Sequence, residues 1–254
     1  MQQATKEDLR YEEMIKKIQH GNFRMSEKDA IAIAGKLYTR GRYKQAENIC
    51  RQLIKHKPGL SDAHSILGVA LSAQGKGKEG VASLKKAVKL NPKAGTYRSN
   101  LGELYRKQGN LADAVVSLQE AIEIDPKNPQ AYNNLGIVRF EGRAYPEAIE
   151  AYRQAIKLNP DFAEAHNNLG NALRKVGDVD EAAKSYQTAL TLREIYPEAY
   201  NNLGTMLREQ NKPEQAEHAL KKAIQQNPRY DEAHNNLATI YHMELYADSY
   251  GEAL

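Results

Sequence analysis

The side chains best placed to do chemistry in this chain are amides. Asparagine recurs every 34 residues at Asn100, Asn134, Asn168, Asn202 and Asn236, and is doubled by Asn133, Asn167, Asn201 and Asn235. Each carboxamide offers two N–H donors and an acceptor oxygen, which matches the C=O and N–H groups of an extended peptide backbone. Asparagine is a poor helix former, so local folding does not ask for it twice running. Arg106, Arg174 and Arg208, and the acids Glu164, Glu198 and Glu232, keep the same 34-residue register, and Asn171 lies on the same face of its helix as Asn168. The other use of such a row is structural, with each amide capping or bridging neighbouring units.

The remaining reactive residue types form no site. There is no G-x-S-x-G, H-E-x-x-H or Walker-type loop, and GKGKEG at Gly75 lacks the phosphate-loop spacing. His64, His166 and His234 occupy the place that Tyr132 and Tyr200 take in sister units, so they read as packed residues and not as metal ligands. No metal, cofactor or catalytic function is expected of these residues. Cys50 is the only cysteine, which rules out an intrachain disulfide, suits a small buried apolar role and fits a reducing cytoplasm. No apolar run approaches the roughly 20 residues of a membrane span, and the N-terminus lacks the apolar middle of a signal peptide. Residues 1–94 hold 19 Lys/Arg against 9 Asp/Glu, and residues 95–254 hold 17 against 23. The basic residues are spread over both helices of each unit without a nucleic-acid motif. They read as a solvated face that could steer an acidic partner to the N-terminal end, and no nucleic-acid or membrane partner is expected.

The amides need helices to align them, and the 3.6-residue apolar periodicity supplies these. Residues 5–20 predict a helix with Tyr11, Met14, Ile15 and Ile18 on one face, so that 1–26 caps the array. Six full units follow at 27–60, 61–94, 95–128, 129–162, 163–196 and 197–230, with an incomplete seventh at 231–254. Each reads as two amphipathic helices around a turn such as Gly177-Asp178. Three departures carry expectations. Gly77, with Gly75 and Gly80 nearby, should make the second unit the loosest. Glu194 stands where proline is expected, so that second helix should run on for about a turn towards Pro197. Aligning Tyr250-Gly251-Glu252-Ala253 with Tyr145-Pro146-Glu147-Ala148 implies a three-residue insertion in a turn after Tyr246. The chain then stops just inside a helix, as a piece of a longer array would.

The 34-residue period with HSILG at His64, RSNLG at Arg98, YNNLG at Tyr132 and Tyr200, HNNLG at His166 and HNNLA at His234 resembles the tetratricopeptide repeat. That resemblance implies an all-α, right-handed α-solenoid, a superhelix of stacked antiparallel helix pairs. It also implies that the second, sixth, ninth and thirteenth positions of each unit line a concave wall, flanked by the fifth and twelfth. The peptide-binding residues are then Asn100, Asn133, Asn134, Asn167, Asn168, Asn171, Asn201, Asn202, Asn235, Asn236, Arg106, Arg174 and Arg208. The asparagine ladder resembles the inner wall of the O-linked N-acetylglucosamine transferase repeat domain, which reads peptide main chain. The chaperone-tail form of the fold grips a terminal carboxylate with a set that includes both Lys at the fifth position and, two repeats on, Arg at the sixth, and no unit here has either. The expected function is a scaffold that binds extended peptide segments of a protein partner. One alternative is the recruiting front end of a bacterial glycosyltransferase or sulfotransferase, whose arrays the NNLG units resemble. The other is self-assembly through the terminal edges into a homo-oligomer.

Overall fold

A computed structural model describes the backbone of residues 26–251 and the side chains through His242. The expected capping helix at 5–20 lies outside the described residues. These contain thirteen α-helices and no strand, an all-α helical-repeat solenoid. They fall into two compact units that divide after Lys127.

The first unit holds α1 (Glu27–Thr39), α2 (Tyr43–His56), α3 (Ser61–Ala73), α4 (Gly77–Leu90), α5 (Gly95–Lys107) and α6 (Leu111–Ile124). The second holds α7 (Pro129–Glu141), α8 (Tyr145–Leu158), α9 (Ala163–Val176), α10 (Val179–Leu192), α11 (Pro197–Glu209), α12 (Pro213–Gln226) and α13 (Asp231–Gly251). Starts follow local chemistry. Ser26 caps α1 by accepting from the Asp29 N–H at 3.2 Å, and Pro129, Pro197 and Pro213 open their helices where a missing N–H is harmless.

Each helix pair closes through the same turn. A residue in the left-handed region recurs at Gly41, Gly75, Gly109, Arg143, Gly177 and Asn211. The following residue donates back to the helix, as Arg42 N–H does to Leu37 O at 2.9 Å and Asp178 N–H to Leu173 O at 3.0 Å. This is the glycine-type helix end that satisfies orphan carbonyls. The paired helices then pack very close. A Cβ on Gly170 would lie 2.7 Å from the Tyr186 ring, and one on Gly136 2.5 Å from Tyr152. Small residues fill the seam between repeats, with Ala131, Ala165, Ala172 and Ala199 at 1% exposure or less.

Three sequence expectations change. Gly77 is the first residue of α4 and not an interior one, so the cost of glycine within a helix does not fall there. Gly80, by contrast, sits so near α3 that a Cβ would meet the Gly68 carbonyl oxygen at 2.7 Å, a tight contact and not a loose one. α10 stops at Leu192, level with α8 and α12, despite Glu194. The Gln226 side chain explains the stop: its Oε1 accepts from Tyr196 N–H at 2.9 Å and its Nε2 donates to Glu194 O at 2.8 Å. These two bonds hold the connection non-helical where a proline would otherwise do so. Finally, α13 is continuous from Asp231 to Gly251, so no turn follows Tyr246.

Candidate peptide-binding face

Within the second unit the first helices of successive repeats, α7, α9, α11 and α13, lie side by side. Their asparagines form a ladder. Asn168 Nδ2 donates to Asn133 Oδ1 at 3.1 Å, Asn202 Nδ2 to Asn167 Oδ1 at 3.0 Å, and Asn236 Nδ2 to Asn201 Oδ1 at 2.9 Å. Asn236 Nδ2 also reaches Thr205 Oγ1 at 3.2 Å. Asn168, Asn202 and Asn236 thus each reach back to the fifth-position amide of the preceding repeat, whereas Asn134 has Ser99 at that place and makes no such bond.

The two columns differ in burial, and this separates their roles. Asn133, Asn167 and Asn201 are 3%, 5% and 1% exposed, so their oxygens lie within the inter-repeat seam and not on an open wall. A buried carbonyl oxygen needs a donor, and the next repeat provides it. Asn201 Nδ2 is buried with no hydrogen-bond partner. Asn134, Asn168, Asn202 and Asn236 are half-buried. The Oδ1 atoms of Asn168, Asn202 and Asn236 accept no bond from the described residues, and that of Asn134 accepts from Gln130 Nε2 at 2.9 Å. Asn100 is half-buried and Asn235 exposed. Asn171 is tied to its own repeat, accepting from the Tyr186 hydroxyl at 2.7 Å.

The charged flank is partly neutralised in place. Arg106 grips Glu103 with two prongs at 2.7 and 2.8 Å. Burial pushes the Glu103 carboxyl up, but Arg106 and Lys107 outweigh it and hold the group below the usual glutamate range. Arg174 lies 3.7 Å from Glu209 of the next repeat, and its Nη1 is buried without a hydrogen bond. Arg208 is half-buried and has no ion pair among the described residues. On the opposite flank, Glu164 is paired with Arg193, whose guanidinium lies 4.6 Å from the Tyr196 ring centroid. Burial and the neighbouring Glu164 push the Tyr196 hydroxyl up to about 12. Glu198 and Glu232 are exposed.

The fourth-position histidines have a role that apolar periodicity could not show. His64, His166 and His234 each place Nε2 2.9–3.0 Å from the carbonyl of the proline six residues earlier, Pro58, Pro160 and Pro228. They strap the inter-repeat turn instead of filling the core. The proline-histidine spacing was the available signal. Among the described residues no group of three His, Cys, Asp or Glu side chains could hold a metal ion, and no helix is long and apolar enough to cross a membrane.

Comparison with known proteins places this arrangement. The family described as TPR repeat matches residues 102–142 and 138–177, and two families described as Tetratricopeptide repeat match 161–229 and 32–94. A search of curated proteins gives no match. The solved Cut9-Hcn1 hetero-tetramer of the APC/C is similar at a TM-score of 0.76 and 18% identity, over 90% of this chain but only 46% of that one. The Pseudomonas aeruginosa PilF structure is similar at 0.72 and 17%, over 89% of this chain and 99% of that one. YrrB, described as a TPR protein with an unusual peptide-binding site, is similar at 0.56 and 22%, over 73% and 96%.

Proposed function

Because the chain belongs to the tetratricopeptide repeat family, a family of protein-interaction scaffolds, we propose that it binds an extended peptide segment along the first-helix row of the second unit. The observation that carries the reading is the repeated Asn–Asn bond. It fixes Asn168 and Asn202 at one N–H and leaves their other N–H and their Oδ1 for a ligand. Asn236, which also reaches Thr205, keeps its Oδ1, and Asn134, outside the Asn–Asn bonds, keeps its amide N–H groups. The contacts fall to Asn134, Asn168, Asn202 and Asn236. Asn133, Asn167 and Asn201 hold Asn168, Asn202 and Asn236 in place without touching peptide. Amide-to-backbone bonds do not depend on the ligand's side chains, so sequence preference comes from Arg208, Glu198 and Glu232 at the flanks.

Magnitude bounds the affinity. At a net of about 1 kcal/mol per hydrogen bond, four rungs amount to roughly 4 kcal/mol, a dissociation constant on the order of 1 mM. Tighter capture then rests on the flanking charges or on tethering. In the test, a panel of unstructured peptides is titrated against the protein and against a variant with Asn134, Asn168 and Asn202 all changed to Ala, with urea unfolding run in parallel. The proposal expects binding to vanish while the variant stays folded. Equal binding by a folded variant overturns it.

A further inference from the structure

A second groove lies in the first unit, between α2 and α4 and over α3. It encloses about 510 Å³, with Ile54, Leu67 and Ala82 along its floor and Arg51, Lys55 and Lys86 on its walls. Arg51 is already shared between Glu47 at 2.8 Å and Glu79 at 3.3 Å. Lys55 and Lys86 are exposed and form no ion pair among the described residues. The helices around them are basic throughout: residues 27–90 carry 13 Lys/Arg against 5 Asp/Glu.

The repeat supplies an internal comparison. Four repeats later the same groove recurs between α10 and α12, enclosing about 480 Å³, with Leu190 and Leu203 in place of Ile54 and Leu67. There Arg51 is replaced by Gln187, Lys55 by Thr191 and Ala82 by His218, while Glu214 joins the lining. Packing therefore accounts for a groove at this place in either form. It does not account for the unpaired Lys55 beside the apolar floor in the first unit, a cation the second groove lacks, whereas Lys86 has its counterpart in Lys222.

We propose that the α2–α4 groove is a docking site for an acidic, amphipathic segment of a protein partner. Leucine-like side chains of that segment enter between the helices, and its Asp or Glu residues meet Lys55 and Lys86. The apolar floor favours this occupant over a nucleic acid, whose phosphates would gain nothing from Ile54 and Leu67. The site is separate from the amide row and stands whether or not that row binds peptide.

The probe is a synthetic amphipathic peptide with Leu on one face and Glu beside it, measured by fluorescence anisotropy on the whole chain at low salt. The Lys55→Glu/Lys86→Glu variant should bind it roughly tenfold or more weakly and should gain affinity for the Lys-for-Glu version of the peptide. Installing Gln187→Arg and Thr191→Lys should add a second equivalent of bound acidic peptide. The proposal is overturned if the charge reversal leaves binding unchanged, or if a Glu peptide lacking Leu binds equally well. Duplex DNA or anionic vesicles displacing the peptide from Lys55 and Lys86 with higher affinity would also overturn it, marking a general polyanion surface. Circular dichroism of each variant confirms that the helices remain.

Discussion

At the scale of single residues, the structure rests on polar side chains whose partners lie about one repeat away. Asn133 Oδ1 is buried and is served by Asn168 alone. Changing Asn168 to Ala orphans that oxygen, which should cost about 1–3 kcal/mol in urea unfolding. The exposed Asn235→Ala should cost far less. Glu47 is a second case, a carboxylate only 6% exposed. Burial pushes its pKa up, but bonds from Arg51, Lys76 and Gln74 outweigh that and hold it below the usual glutamate range. A carboxyl with a depressed folded pKa contributes stability that is complete above its unfolded value, about 4.3. That stability is lost as pH falls through the folded value. Urea midpoints measured against pH should therefore fall below about pH 4.3 more steeply for the natural protein than for Glu47→Gln. Cys50 is fully buried, and burial pushes its thiol up to about 12. It should resist a thiol reagent until the protein unfolds.

At the scale of the helix pair, the turn sets a requirement that two repeats meet with the wrong residue type. Arg143 and Asn211 take the left-handed place that Gly41, Gly75, Gly109 and Gly177 take elsewhere. For a residue with a Cβ that conformation costs about 1–2 kcal/mol, while asparagine tolerates it better. Arg143→Gly should raise the urea midpoint, with a gain of up to about 1 kcal/mol after glycine's extra chain entropy. Gly109→Ala should lower it by a similar amount. Gln226 shows the reverse situation, a side chain repairing a connection whose proline is absent. Gln226→Ala leaves the Glu194 carbonyl and the Tyr196 N–H without these partners, so hydrogen exchange should quicken at 193–196 before anywhere else in that repeat.

At the scale of the whole molecule, stability in a repeat array is close to a sum of intrinsic repeat terms and nearest-neighbour terms. A local change should therefore be felt locally. Gly170→Ala forces a Cβ against the Tyr186 ring, an overpacking that should cost about 1–3 kcal/mol. Hydrogen exchange should rise in α9, α10 and their neighbours within the second unit, and much less at α1–α3. A uniform rise over both units would show a cooperativity that the nearest-neighbour picture does not contain.

The helices were legible in the chain because their signals are local. A 34-residue period, apolar stripes, Ser26 as a cap and glycines at the turns each act within a few residues of themselves, so reading them needs no knowledge of neighbours. The position of the asparagines in the register was legible for the same reason. What each amide does was not. The Asn168–Asn133 bond joins residues 35 apart in sequence, and its existence depends on how one helix pair stacks on the last. That stacking hid Asn133, Asn167 and Asn201 in the seam, left Asn168, Asn202 and Asn236 half-buried, and set Arg174 beside Glu209 of the next repeat. It also set Gln226 across from the Glu194 connection, which the local rule for a missing proline had assigned to a longer helix. Sequence alone determined the repeated helix pair, because hydrophobic periodicity and turn chemistry act along the chain. Only the tertiary structure decided which polar groups face each other, because a side-chain hydrogen bond answers to distances across the stack that no residue encodes by itself.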